Sequence, residues 1–405
     1  MLALLRQRDF ALLWTGGLVS MAGDWILYAA LPYHVFATTG STLATAAMIA
    51  GELLPNLLLT SFAGVLVDRW DRKRVMVVTS ALQAIAVLAL VFLNGLGGIV
   101  VALAVVTVLA ALSTLFGPAE NALLPRLVEP GQLVAANGMN ALNNNLARLI
   151  GAPIGGLALA LWGIEGVALL DALTFGMGAL LIAAIRTDGR PGARAGEEPG
   201  STATQEPAFW HEWRAGLALI VQRRELTALF AVLLLMNFGG VMTDPLYAPF
   251  VRDVVGAGPQ AFGLLLTVRG LGGICGGFVA GWVGGRVPTV TLLSAGCVTS
   301  GILLQVQFHV PLLPVVMALA FVGGIPAVVS ASSVQALLQQ LVPERFMGRV
   351  YGALSTGVAT VSLVSVLGFG GLLGSLFGIV PVLTFAAGVT LAVGVVARLT
   401  LPEPR

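Results

Sequence analysis

Residues 64–74 read Gly-Val-Leu-Val-Asp-Arg-Trp-Asp-Arg-Lys-Arg, a charged break that closes one apolar run, 43–66, and precedes another, 75–94. A run of roughly 18 apolar residues or more crosses a hydrocarbon core of roughly 30 Å as a helix, so a charged break between two of them is a turn at a membrane face. Gly64 permits close packing at a helix end. Asp68 can accept from a neighbouring helix N-terminus or a basic partner, and Arg69, Arg72, Lys73 and Arg74 hold the turn on the cytoplasmic side.

Outward from this turn the pattern repeats along the whole chain. Apolar spans are expected at 10–36, 43–66, 75–94, 98–119, 138–162 and 166–185, and again at 226–250, 259–284, 289–308, 312–338, 350–375 and 378–399. Of the 405 residues 57% are hydrophobic and 10% charged, against roughly 25% charged in a soluble domain. A water-facing surface cannot be built from that composition, so the lipid bilayer is the solvent. No stretch shows the alternating polarity of a membrane β-barrel strand, and the 51 glycines suit helices that approach closely in lipid. The expected fold is an all-α membrane protein with twelve transmembrane helices in two six-helix bundles.

Residues 187–209, rich in Gly, Pro, Ala, Thr and charge, have the composition of a linker. The expected organisation is a six-helix bundle over 1–186, a cytoplasmic linker over 187–213, and a second bundle over 214–405. Residues 210–225 are expected to form an amphipathic helix at the membrane surface. Apart from Arg148 and Arg269 within spans and Arg252 on the opposite side, every Lys and Arg falls on the side of the termini, which puts both termini and the linker in the cytoplasm. The halves repeat weakly at an offset near 215 residues: Ala122-Leu-Leu-Pro-Arg-Leu-Val128 parallels Ala336-Leu-Leu-Gln-Gln-Leu-Val342, and Ala63-Gly64 with Arg69 parallels Ala280-Gly281 with Arg286. A same-orientation duplication of this kind places substrate at the interface of the halves near the midplane.

The turn at 64–74 resembles the loop signature of the major facilitator superfamily: a Gly, an Asp-Arg four and five residues later, then a basic run. Asp71 stands where that pattern usually has a second Gly. Leu4-Leu-Arg-Gln-Arg-Asp-Phe10, Ser20-Met-Ala-Gly-Asp24, Gly117-Pro118-Ala119 with Leu124-Pro125, and Trp213-Arg-Ala-Gly-Leu217 look like the branch that contains macrolide and enterobactin exporters. That branch implies proton-coupled export of amphipathic small molecules from the inner membrane of a prokaryote, with 64–74 as a conformational lock. Ile150-Gly151-Ala-Pro153-Ile-Gly155-Gly156 is similar to the glycine-proline signature of fifth helices in antiporters, with Pro153 displaced by one residue. The fourth span lacks the Arg that many antiporters carry there.

Ionisable residues inside spans are costly unless they face the bundle interior or a wet cavity, and Asp24, Glu52, Arg148, Asp171, Asp244 and Arg269 fall there. At 1.5 Å per residue Asp24 lies roughly 20 Å up span one and Glu52 roughly 14 Å down span two, so the two could share one level. Two carboxylates close together in a low dielectric cannot both carry charge easily, which makes the pair a candidate proton carrier. Arg148 and Arg269 sit roughly 15 Å deep, suited to a charge pair or to an anionic substrate group, with a structural counter-ion role for Arg148 equally open. Asp171 and Asp244 lie nearer the outer face, where a gate or simple hydration would explain them.

Trp25, Tyr28, Phe36, Tyr247 and one of Asn143, Asn144 and Asn145 are candidates to line a pocket; packing and interface anchoring are the alternatives for the aromatics. Cys275 and Cys297 lie in apolar runs and read as small hydrophobes, and His34, His211 and His309 have no metal-ligand spacing. No enzyme motif is present, so no cofactor or metal is expected and the proton gradient is the expected energy source. The expected partners are a small-molecule substrate and the bilayer, not nucleic acid, with the chain a monomer. A nutrient importer or uniporter of the same fold, and a lipid-handling or non-transporting scaffold, remain the alternatives.

Overall fold

The computed structural model describes residues 4–92, 97–190, 220–342 and 346–402. The expected surface helix over 210–225 and most of the linker lie outside the described residues. The described chain is helical, and eleven of its helices are long and apolar enough to cross a bilayer. Large apolar side chains such as Ile85, Leu173, Leu180, Phe278 and Leu399 stand exposed on them, as lipid-facing surface requires.

By contacts the chain divides into two units, Met1–Gly192 with Tyr247–Gly270 and Ala193–Leu246 with Leu271–Arg405, so far as their residues are described. The division does not follow chain order, because the segment from Tyr247 to Gly270 clusters with the N-terminal helices.

The first unit is built on α1 (Arg8–Thr39), α2 (Thr42–Arg69), α3 (Arg72–Leu88), α4 (Gly97–Leu123) and α5 (Leu133–Ala183). Ser41 starts α2 by accepting from the Ala44 amide at 3.2 Å, and Asp71 starts α3 by accepting from the Arg74 amide at 3.1 Å; each satisfies an amide that the first turn leaves open. The 51 residues of α5 would extend roughly 76 Å if straight, more than twice a hydrocarbon core. They do not run straight, because Gly163 adopts φ 67° and ψ −167° inside the helix, a backbone conformation that only glycine adopts without strain. The two arms pass α1 in opposite directions: Gly151 and Gly155 lie against Ala22 and Ile26, whereas Asp171 and Gly178 lie against Gly23 and Gly16. The chain therefore turns back at Gly163, where the expected spans 138–162 and 166–185 part.

A Cβ at Gly151 or Gly155 would collide with the backbone carbonyl of Ala22 or Ile26. These two glycines of the expected helix-five signature let α1 and α5 meet backbone to backbone, the packing that small residues give membrane helices. Gly156 meets the Pro259 carbonyl in the same way, and Pro153 lies within the helix. Phe10, Leu13, Met76, Leu123, Leu124, Ile182 and Ile185 form the dry core of this unit.

The second unit contains α6 (Arg224–Met242), the short α7 (Asp244–Pro249) up to Leu246, the part of α8 (Pro259–Val283) from Leu271, α9 (Thr289–His309), α10 (Leu313–Leu341), α11 (Met347–Val364), α12 (Gly374–Phe377) and α13 (Ile379–Thr400). The expected span 226–250 is interrupted at Thr243 and continues through a π-helical turn at Phe250–Val254 in the first unit. Helices α9 and α13 run antiparallel, joined by Ser294 Oγ donating to the Gly394 carbonyl at 2.7 Å and Gln305 Nε2 donating to the Thr384 carbonyl at 2.9 Å. Leu229, Val232, Leu293, Leu337, Val350 and Val393 make the core of this unit.

Candidate transport site

Four helices of the first unit enclose a cavity of about 420 Å³. The lining follows the helical repeat: Asp24, Tyr28, Leu31 and Pro32 from one face of α1; Met48, Ile49, Glu52 and Asn56 from α2; Val106, Leu109, Ala110 and Ser113 from α4; and Asn144 from α5. Each set recurs at three- and four-residue intervals, so a single stripe of each helix turns inward. Trp25 joins the lining with its ring 5.0 Å from that of Tyr28 in an edge-to-face contact. The size and the mixture of apolar walls with a few polar groups suit a drug-sized molecule.

Asp24 and Glu52 both open onto this one cavity and are exposed to it. Asn56 Nδ2 donates to the Glu52 carbonyl at 3.0 Å, which ties the polar part of α2 to its own backbone. Ser113 Oγ accepts from the buried Gln83 of α3 at 3.0 Å, so the far wall is fixed by a polar contact from outside the cavity.

Asp171 lies on the returning arm of α5 with no exposed surface, so hydration does not account for it. Thr174 Oγ1 donates to its Oδ1 at 3.3 Å, its Oδ2 has no hydrogen-bond partner, and it faces α1 at Gly23, one residue before Asp24. A further carboxylate, Glu120, sits where α4 meets α5 and accepts from Asn140 Nδ2 at 3.0 Å. Beside it Asn143, 2% exposed, donates to the Trp14 carbonyl at 3.1 Å, and Trp14 Nε1 donates to the Met139 carbonyl at 3.0 Å. Hydropathy ends the fourth span at residue 119, one residue short of Glu120, although the helix runs on to Leu123. The signal available was the continuation Asn121-Ala-Leu-Leu124 without a helix breaker before Pro125.

Arg148 projects from α5 with its guanidinium 5.7 Å from the ring centroid of Trp25. It donates to Asn145 Oδ1 at 3.3 Å and to the Gly270 carbonyl at 3.4 Å, and Arg269 stands within electrostatic reach. Arg269 is exposed and lies 5.8 Å from the ring centroid of Tyr247. Tyr247 therefore belongs to the arginine neighbourhood and not to the cavity lining, whereas Trp25, Tyr28 and Asn144 are in the lining. Phe36 lies under Arg252, at 5.6 Å. Asp244 opens α7 in the other unit and is not among the residues that line this cavity.

At the 64–74 turn, Gly64 and Asp68 occupy the last turns of α2. Arg69 and Trp70 are exposed, Lys73 Nζ donates to the Ile185 carbonyl at 2.6 Å, and the Arg72 amide donates to the Gly189 carbonyl at 3.0 Å. The turn is thereby fastened to the end of α5. Arg74 lies 3.8 Å from Asp71, the residue that caps α3 in place of a glycine.

Apolar helices that cross a bilayer many times, with carboxylates turned into a drug-sized internal cavity, define a membrane transport protein. The family model described as transmembrane secretion effector matches residues 1–405, and the chain belongs to that family within the major facilitator superfamily. It is 29% identical over 84% of its length to a protein of Mycobacterium tuberculosis named multidrug efflux pump Tap, covering 81% of that protein. It is 24% identical to macrolide efflux protein A of Streptococcus pyogenes, with 84% of each chain covered. Among solved structures, a bacterial homologue of the iron transporter ferroportin matches with a TM-score of 0.73 at 16% identity, covering 97% of each chain. A bacterial homologue of the human lysosomal transporter Spinster matches with a TM-score of 0.73 at 14% identity, covering 97% of this chain and 94% of that one. At such identities these two likenesses speak to the fold alone.

Proposed function

We propose that the chain exports small amphipathic molecules of the drug or siderophore type across the cytoplasmic membrane of a prokaryote, by proton-coupled alternating access. With the two arms of α5 counted as separate spans, the chain crosses twelve times, as six-helix halves 1–186 and 214–405 joined by 187–213, with both termini cytoplasmic. The named activities of the mycobacterial and streptococcal relatives support export of drugs. The observation that carries the mechanism is that Asp24 and Glu52 share one cavity with Trp25 and Tyr28.

An ionised carboxylate in that cavity favours the state in which water reaches it, and a proton removes the preference. Binding of a proton from one face and its release at the other therefore shifts the balance of states by as much as the charge is differently solvated in each. The aromatic and aliphatic walls take the apolar body of the substrate, and the 64–74 turn, fastened to the end of α5, locks one state through Asp68 and its basic neighbours. No cofactor takes part; the proton gradient supplies the work, and the chain acts as a monomer in the bilayer.

Asp24→Asn keeps the shape of the side chain and removes its charge. In proteoliposomes it should lower pH-gradient-driven drug efflux at least about tenfold, equivalent to about 1.4 kcal/mol, while the purified protein stays monodisperse. Undiminished pH-driven efflux would discard the assignment of coupling to Asp24.

A further inference from the structure

Arg148 and Arg269 are an unusual pair of neighbours. Both fall in membrane-spanning helices, both carry a fixed positive charge, and each lies within the electrostatic field of the other. Among the described residues neither forms an ion pair with an acidic side chain. A cation at membrane depth is retained only where something compensates it, and two like charges within each other's field increase the demand.

The compensation present is thin. The two hydrogen bonds from the Arg148 guanidinium, at 3.3 and 3.4 Å, are longer than the usual 2.9–3.0 Å. Its Nε is buried and has no partner. The Trp25 ring at 5.7 Å and the Tyr247 ring at 5.8 Å offer π faces to the two guanidinium groups, a contact that falls well short of the cost of an ion. Gly270 leaves the space that the Arg148 guanidinium fills, since a Cβ there would lie 2.6 Å from Nε. The arrangement holds the guanidinium in place without neutralising it.

Arg148 adjoins the cavity, and Arg269 joins it through the mutual field of the two arginines. Trp25 lines the cavity and meets Arg148, and Asn144, in the lining, precedes the Asn145 that Arg148 contacts. A molecule whose apolar body rests on Trp25 and Tyr28 would bring a polar end to the arginines. Planar guanidinium groups with several outward N–H donors match the oxygens of a carboxylate, sulfonate or phosphate, and do so better than any neutral acceptor.

We infer that Arg148 and Arg269 form a subsite for an anionic group on the transported molecule, so that amphipathic organic anions are a substrate class of this carrier. The inference rests on the export reading for its physiological meaning, but the subsite is tested by binding at equilibrium with no gradient. A failure of proton coupling and a failure of the subsite are thus separate results.

The probes are dansyl-glycine and dansyl-glycinamide, which differ in a carboxylate against a carboxamide, with binding to the full chain in phosphatidylcholine vesicles followed by energy transfer from tryptophan. The carboxylate should bind at least about tenfold more tightly than the amide. Arg269→Gln, at an exposed position that does not threaten folding, should bring the two within about threefold, and Arg269→Lys should restore part of the difference. Arg148→Gln should likewise narrow the preference for the carboxylate over the amide. Equal binding of the two probes to the unaltered protein, or an undiminished preference in Arg269→Gln, overturns the subsite. If phosphatidylglycerol in the vesicles abolishes the preference, the anion held is a lipid headgroup, and the substrate assignment is overturned.

Discussion

The two units of this protein use polar residues for different ends. In the first, Asp24, Glu52, Glu120 and Asp171 are carried by helices α1, α2, α4 and α5, and Arg148 and Arg269 by α5 and α8. In the second, Asp244 opens α7, but from Leu271 to the end of α13 the sequence has a single acidic residue, Glu344, and polar contacts among the described residues of the unit include neutral ones: Ser294 with α13, Gln305 with α13, Ser362 with Asn237, and Ser365 with the Phe238 carbonyl. A hydroxyl bound to a carbonyl adds little free energy in a membrane but fixes the register of two helices. A carboxylate adds none, costs several kcal/mol if it stays charged and unpaired, and is retained where its charge is used. The contrast accords with the coupling proposed for the first unit and with a packing role for the polar residues of the second from Leu271 onward.

Three substitutions sharpen or break that contrast. The largest effect is expected at Gly155, where the α1–α5 contact supports the whole cavity. Gly155→Leu drives a side chain into the Ile26 carbonyl and should cost about 3 kcal/mol, read as a fall in thermal stability of the purified protein together with loss of transport. If Gly155→Leu is stable and active, α1 and α5 are free to separate and the cavity is not built on that contact.

An intermediate effect is expected at Glu120. Glu120→Ala leaves the Asn140 amide without its acceptor and should destabilise by about 2 kcal/mol, in the range for a hydrogen bond to a charged group. Glu120→Gln should retain most of the stability; if it also leaves drug efflux at its full rate, Glu120 belongs with the packing residues and the first unit is less specialised than the contrast holds. The smallest effect is expected in the second unit, where Ser362→Ala removes a 2.8 Å hydrogen bond to Asn237 and should cost about 0.6 kcal/mol with no change in the pH dependence of efflux. A shifted pH profile in Ser362→Ala would break the contrast from the other side.

Much of the fold could be read from the sequence because its causes are local. A run of about twenty apolar residues has few fates other than a membrane helix, and the return of the chain near residue 163 was legible from Gly163 and the polar residue Glu165 between two apolar runs. Glu120 was not legible, because a span end set by hydropathy is uncertain by several residues and four of them separate 119 from Leu123. The role of Asp71 was obscured by its departure from the family pattern; in space it caps α3, as an aspartate at that position can and a glycine cannot do with a side chain.

The sequence by itself determined that the protein lives in a bilayer, roughly where its apolar spans lie, and which charges had to be hidden from lipid. Only the tertiary structure decided that Asp24 and Glu52 share a cavity, that Asp171 is sealed against α1, that Tyr247 stands with Arg269 and not in the lining, and that Arg148 and Arg269 are neighbours. The first set depends on the free energy of moving a short segment from water into hydrocarbon, which composition fixes. The second depends on which face each helix turns toward residues as far apart in the chain as 24 and 171, a matter of close packing that no local stretch contains.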